Sequence, residues 1–156
     1  MKPIRFTLVF LGFMMFVGGT WNCATTSSTP SSQNIPLPTD VRIAPPDPNL
    51  PKPIQALSGK WEGMWEHGSL GSLDAMLIVE KIDREIAYVI YASGDNLAWG
   101  VTKAWRREVA AVSYEDGKVN LRLPSGIDFW ATKENRMEGR RATPYGLIYI
   151  HLKKTS

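Results

Sequence analysis

The sequence contains one cysteine, Cys23, and two histidines, His67 and His151. A single cysteine cannot form an internal disulfide, so a folded domain must be stabilised by its core alone. A zinc site needs three or four converging ligands, and we therefore expect no metal site. The sequence also lacks a Gly-x-Ser-x-Gly nucleophile motif. We expect no catalytic residue, no cofactor and no enzymatic activity, and an enzyme of unrecognised type remains an alternative.

A large excess of positive charge is also missing from the part of the chain that is predicted to fold. The formal net charge is +3, yet residues 53–156 hold 14 Lys or Arg against 13 Asp or Glu. Part of the excess comes from Lys2 and Arg5, which precede the first apolar run. A nucleic-acid-binding domain needs a basic stripe that persists in the folded domain. We expect no nucleic-acid partner.

Long apolar runs are absent except near the N-terminus. Residues 6–17 are almost wholly apolar, Lys2 and Arg5 precede them, and two glycines follow at 18–19. A transmembrane helix needs about 20 apolar residues, and this run is shorter. A basic start, a short apolar core and small residues predict a secretion signal over residues 1–22.

Cys23 directly follows this segment, and the N-terminus resembles a bacterial lipoprotein signal. The resemblance implies that Cys23 is acylated and anchors the protein in the cell envelope, at the outer membrane or the periplasmic face. Thr20, Trp21 and Asn22 depart from the family, which usually has Leu three residues before the cysteine and a small residue directly before it. Cleavage after Gly19, which would give a secreted protein, and an uncleaved anchor are the alternatives.

Proline is scarce in the C-terminal two thirds of the chain and concentrated before it. Eight of the 11 prolines lie between residues 30 and 53, among Ser, Thr and Asn. Such a segment has little apolar surface to offset its ordering entropy. It predicts a disordered tether over residues 23–53, flexible at first and then stiffer, with polyproline character.

Residues 54–156 show short alternating or apolar runs separated by turn residues, which is typical of strands. The predicted strands are 60–67, 73–82, 85–92, 104–114, 118–123, 127–132, 136–142 and 147–153, after a turn of helix at 53–57. Eight short strands joined by tight turns predict an all-β domain, a small eight-stranded antiparallel up-and-down barrel. An open sandwich of the same strands is the alternative.

Gly59-Lys60-Trp61 at the start of the first strand resembles the Gly-x-Trp start of lipocalin-like (calycin) barrels. The resemblance implies that Trp61 packs across a closed barrel end against an arginine of a late strand, for which Arg140 and Arg141 are the candidates. The domain is also similar to uncharacterised barrel modules of bacterial secreted proteins, in Trp-x-Gly-x-Trp at 61–65, Val-Glu-x-Ile at 79–82 and Tyr-Ala-x-Gly-Asp at 91–95.

A barrel of eight strands is just wide enough to be filled by side chains or to hold one small ligand. We expect a mostly filled interior, because six large side chains are candidates for it: Trp61, Trp65, Leu77, Tyr88, Phe129 and Trp130.

The longest predicted loop, residues 93–103, is the candidate binding site, because loops on a rigid scaffold commonly carry binding residues. Asp95 and Trp99 lie in the loop and are followed by Trp105 and Arg106 at the start of the next strand. Together they combine an acid, two aromatics and a base and are the tentative ligand-binding residues. Alternatively, Trp99 folds back to cap the barrel end and Asp95 hydrogen-bonds the turn backbone. The sequence thus predicts a membrane-tethered protein that binds an envelope partner. A carrier for a small apolar or carbohydrate ligand is the alternative.

Overall fold

A computed structural model describes residues 35–156 except Asp116, Glu134 and Tyr145. The predicted secretion signal and Cys23 lie outside the described residues. Eight antiparallel strands form one closed barrel in sequential order, and the last strand pairs with the first. The predicted up-and-down barrel is therefore confirmed, and the open sandwich is not formed.

The elements follow the predicted pattern closely. They are α1 (Lys52–Leu57), β1 (Gly59–His67), β2 (Gly71–Ile82), β3 (Ile86–Ser93), β4 (Ala104–Glu115), β5 (Lys118–Arg122), β6 (Ile127–Lys133), β7 (Arg136–Thr143) and β8 (Gly146–Lys154). One turn of 3-10 helix, Leu97–Trp99, lies between β3 and β4. Among the described residues, no helix is long and apolar enough to cross a membrane.

Helix α1 closes one end of the barrel. Its Ile54 and Leu57 side chains are buried in the barrel core. The Trp61 indole N–H donates a hydrogen bond of 2.9 Å to the carbonyl of Leu57. The Lys154 ammonium lies 5.5 Å from the centre of the Trp61 ring and donates to the carbonyl of Ala56 at 2.8 Å. This end is therefore packed with side chains.

Lys154, and not Arg140 or Arg141, is the cation that packs against Trp61. Strand β7 runs from the closed end to the open end, so its late residues are far from Trp61, whereas β8 returns and ends beside it. Arg140 instead lies outside the barrel, 6.0 Å from the centre of the Trp130 ring. The expectation for the two arginines was wrong. It specified an arginine of a late strand but did not consider which end of the barrel that part of the strand reaches.

The interior follows the alternation of the strands, since successive side chains point to opposite faces. Trp61, Trp65, Leu77 and Phe129 are buried inside, as expected. Trp130 is next to Phe129 in β6 and is only half-buried, so its predicted interior position was wrong.

The predicted interior position of Tyr88 in β3 was also wrong. Its neighbours Ala87 and Val89 belong to the interior core, so Tyr88 points outward and is 44% exposed. The sequence did not decide this because β3 is apolar on both faces.

Residues 35–50, here called the strap, lie along the outside of β2 and β3. The sequence places them in the second half of the tether. Apolar side chains of the strap cover an outward apolar patch of the barrel; the strap contributes Ile35, Leu37 and Val41, and the barrel contributes Met76, Ile78, Ile90 and Ala92. This contact removes apolar surface from water, so this proline-rich stretch is packed onto the barrel.

A bidentate ion pair holds the middle of the strap. The Arg107 guanidinium donates to both carboxylate oxygens of Asp40, at 2.8 and 3.1 Å, and to Glu80 of β2 at 3.1 Å. Farther along, the Ala44 amide donates to the Glu80 carbonyl at 2.7 Å. The hydrogen bonds from Arg107 hold the pKa of Asp40 below its usual range.

We expect the strap to loosen in acid. Because the pKa of Asp40 is lower in the folded state, its contribution is complete above the ordinary aspartate pKa of about 3.9 and is lost as the pH falls through the lowered value. Hydrogen exchange of the Ala44 amide, measured relative to its intrinsic rate, should therefore be slow at pH 5. It should be faster at a pH below the lowered pKa of Asp40. Arg107→Gln should remove this pH dependence, and an unchanged profile in this variant would contradict the assignment.

Candidate functional site

Four connections meet at the end of the barrel opposite α1. They join β1 to β2, β3 to β4, β5 to β6 and β7 to β8. Between them lies an open cup of about 970 Å³ that extends into the barrel. We expected a mostly filled interior, but only the closed end is filled and the open end holds this cavity.

The inner wall of the cup is aromatic and aliphatic. Trp65 of β1 and Tyr91 of β3 face each other across the interior, and the indole N–H donates to the Tyr91 hydroxyl at 2.7 Å. Leu73 and Ile148 add aliphatic surface. Burial raises the pKa of Tyr91, so the phenol stays neutral and keeps a proton that it can donate.

Two arginines point into the cup from opposite walls. Arg106 of β4 lies 5.1 Å from the centre of the Tyr91 ring and forms an ion pair with Glu108, whose side chain is only 8% exposed. Glu108 also accepts a hydrogen bond of 3.0 Å from the Ser125 amide. Arg141 of β7 lines the same cup, and no carboxylate among the described residues pairs with it. The cup therefore has one balanced and one unbalanced positive charge.

His67 supplies a buried polar atom without a partner. It is the last residue of β1, and its Nδ1 is buried and has no hydrogen bond among the described residues. The ring packs edge-on against Trp99, with centres 5.9 Å apart. A buried polar atom without a partner costs free energy, and a ligand in the cup is one way to satisfy it.

The predicted loop residues take different positions. Trp99 folds back over the cup and donates to the Leu70 carbonyl at 2.9 Å. Asp95 accepts a hydrogen bond of 2.5 Å from the Lys103 amide and thus fixes the loop backbone. Both contacts have the geometry of the capping alternative considered from the sequence.

The structure brings Trp99 and Arg106 together at the cup but not Asp95 or Trp105. Ala104 and Arg106 line the cup, whereas Trp105 between them points outward. The Arg107 guanidinium lies 5.9 Å from the centre of the Trp105 ring. Trp105 is therefore separated from the cup by the barrel wall.

Several residues of the cup were not selected from the sequence: Trp65, His67, Tyr91 and Arg141. Alternation in β1 puts Trp65 and His67 on one face of the strand, but the predicted site is confined to residues 95–106. These residues could have been found from the sequence, because inward positions near the ends of several strands meet at one open end of a barrel.

The described residues contain no group of three or more His, Cys, Asp or Glu that could hold a metal ion. The cup offers hydrogen bonding by Tyr91, His67 and the two arginines, next to aromatic and aliphatic walls. Hydroxyl groups also line it, on Ser69, Ser93 and Thr102. Such a set can bind and orient a ligand.

Comparison of the chain with protein-family models, curated proteins and solved structures finds no match.

Proposed function

We propose that this chain is an exported, membrane-tethered binding protein whose barrel takes one small amphipathic anion into its open end. The observation that carries the proposal is the cup of about 970 Å³, lined by Trp65, Tyr91 and Trp99 and entered by two arginines. Ligand sites are typically concave, mostly apolar and about 300–1,000 Å³ in volume, with a few polar groups that orient the ligand.

The charge balance favours an anionic group on the ligand. Glu108 already balances Arg106, while Arg141 has no partner among the described residues. Arginine binds carboxylate and phosphate groups with two parallel hydrogen bonds. The acidic group would bind near Arg141, and the apolar part would lie along Trp65, Leu73 and Ile148.

The walls favour an amphiphile over a free sugar. Aliphatic side chains and two indole rings cover much of the cup, and burial of a ligand's hydrocarbon against them contributes about 25 cal/mol per Å². The hydroxyl groups of Ser69, Ser93 and Thr102 also line the cup and are the part of its wall that would suit a sugar. A sugar ligand is therefore the alternative outcome of the experiment below.

The proposal places the protein in the bacterial cell envelope. A secretion signal over residues 1–22, acylation of Cys23 and a tether would hold the barrel at a membrane. Cleavage without acylation would give a secreted carrier with the same cup. The likeness to barrel modules of secreted proteins supports export and is part of the proposal. No catalytic step is included.

Binding should be detected with dansyl-labelled undecanoate, a fluorescent carboxylate with an apolar chain. A ligand of about 30 non-hydrogen atoms that gains about 0.3 kcal/mol per atom should bind with a Kd on the order of 1 µM. We expect a stoichiometry of one and a blue-shifted dansyl emission. A free monosaccharide or disaccharide should not displace the probe.

Ala104→Phe should weaken this binding by about tenfold or more, because its ring occupies space inside the cup and so removes about 1.4 kcal/mol of binding free energy. Trp105→Ala is the matched control, since the adjacent side chain lies outside the barrel. Fluorescence titration of both variants measures the effect. Equal affinities of the two variants would show that the probe binds elsewhere, and displacement by a sugar would favour the carbohydrate alternative.

A further inference from the structure

The strap fixes where the chain leaves the barrel on its way to the N-terminus. Ile35 lies beside Gly94, just beyond the end of β3 at the open end of the barrel. Asp40 is held at mid-barrel by Arg107, and Ala44 accepts a hydrogen bond from Ser58 near the closed end. The strap thus runs from the open end to α1, and the preceding chain departs beside the mouth of the cup.

Cys23 is twelve residues before Ile35. Even a fully extended chain of this length reaches only about 40 Å, and the long strands of the barrel cover a similar distance. With the anchor at Cys23, a closed end that faced the membrane would need nearly the whole tether extended along the barrel, which costs chain entropy, so the open end lies closer to the membrane. This step rests on the tether in the proposed function but does not depend on ligand binding.

The rim of the open end has the composition of a membrane-contacting surface. Leu97, the first residue of the 3-10 turn, is 96% exposed, and Leu147 at the start of β8 is 56% exposed. Lys103, which is ion-paired with Asp95 at 3.9 Å, and Arg141 lie at the same end of the barrel. Exposed leucine side chains with long cationic side chains nearby suit the interfacial region of a bilayer.

We infer that the open end of the barrel faces the membrane and docks onto it, with Leu97 entering the interfacial region of the bilayer. The partner is the lipid surface. In this orientation the cup opens toward the bilayer, so an amphiphile passes from the membrane into the cup without crossing bulk water. The strap acts as the spacer that sets the orientation.

The test compares probes at the two ends of the barrel in the full chain, reconstituted through its N-terminal segment into vesicles of phosphatidylethanolamine and phosphatidylglycerol. The sulfur of acylated Cys23 carries the lipid and does not react with a thiol label, so L97C or R84C is the position that takes an NBD fluorophore. Arg84 is exposed in the β2–β3 turn at the closed end, so R84C is the matched control. Lipids with a nitroxide near the headgroup serve as the quencher.

We expect NBD at position 97 to shift to the blue and to be quenched several-fold more strongly than NBD at position 84. Equal quenching, stronger quenching at 84, or no quenching at either position would overturn the proposed orientation, as would a chain that does not float with the vesicles. Titration of the same labelled proteins with dansyl-labelled undecanoate in vesicle-free detergent solution reports ligand binding separately. The two proposals therefore fail independently.

Discussion

Gly63→Ala should unfold the barrel or bring it close to unfolding. Gly63 lies opposite Leu152 where β1 and β8 close the barrel. A methyl group at this position would overlap the carbonyl oxygen of His151 and come within 3.0 Å of the Leu152 Cα atom. These are backbone atoms that cannot rotate away, so the two strands must separate.

The cost should exceed that of ordinary overpacking, which is about 1–3 kcal/mol. We expect a loss of at least about 3 kcal/mol, a large share of the 5–15 kcal/mol by which domains are usually stable. Urea unfolding followed by tryptophan fluorescence measures this loss. With a denaturant slope of about 2 kcal/mol/M, the midpoint should fall by about 1.5 M.

Gly68→Ala is the matched control for this variant. Gly68 follows β1 by one residue, and a methyl group there would have no other atom within 4 Å. Its unfolding midpoint should be nearly that of the original chain. If Gly63→Ala has the same midpoint as Gly68→Ala, the seam between β1 and β8 tolerates more separation than the structure implies.

The barrel could be predicted because the sequence signals for its strands and turns are local. Turns such as the one after Glu115 and the alternation of Val119 and Leu121 fix the strand boundaries and their inward faces within a few residues. Where both faces of a strand are apolar, alternation does not show which face points into the barrel. Tyr88 was misplaced for that reason, since Ile90 on the same outward face is covered by the strap.

Contacts between distant parts of the chain were not predictable in the same way. The partner of Trp61 depends on where β8 ends relative to β1, so the sequence offered Arg140 or Arg141 instead of Lys154. The strap was assigned to the tether because its few apolar residues have no partner in the local sequence. Their partners in β2 and β3 follow them by 35 residues or more.

The candidate site shows the same difference between local sequence signals and contacts of distant residues. The sequence suggested one contiguous segment, the loop and the start of the next strand, with Asp95, Trp99, Trp105 and Arg106. Only Trp99 and Arg106 line the cup. The cup combines inward positions of different strands, which become neighbours only when the barrel closes. Arg141 is separated from Arg106 by 35 positions in the sequence, yet both enter the same space.

Arg141→Gln should weaken the binding of dansyl-labelled undecanoate by about 10- to 100-fold. Arg141 lines the cup and has no carboxylate partner among the described residues, so its charge is available to the ligand. A hydrogen bond to a charged group contributes about 1.5–3 kcal/mol, and 1.4 kcal/mol corresponds to a tenfold change in Kd. Glutamine keeps a polar side chain of similar reach but removes the charge.

Two comparisons separate the charge of Arg141 from its shape. The uncharged amide of the same probe should bind Arg141→Gln and the original chain with affinities that agree within about threefold, a difference of less than 1 kcal/mol. Arg140→Gln changes the adjacent residue, which lies outside the barrel against Trp130 and Asp128, and should leave the binding of both probes unchanged. If Arg141→Gln weakens the amide as much as the carboxylate, Arg141 shapes the cup without selecting an anion. If Arg140→Gln is as harmful as Arg141→Gln, the acidic group of the ligand does not bind inside the cup.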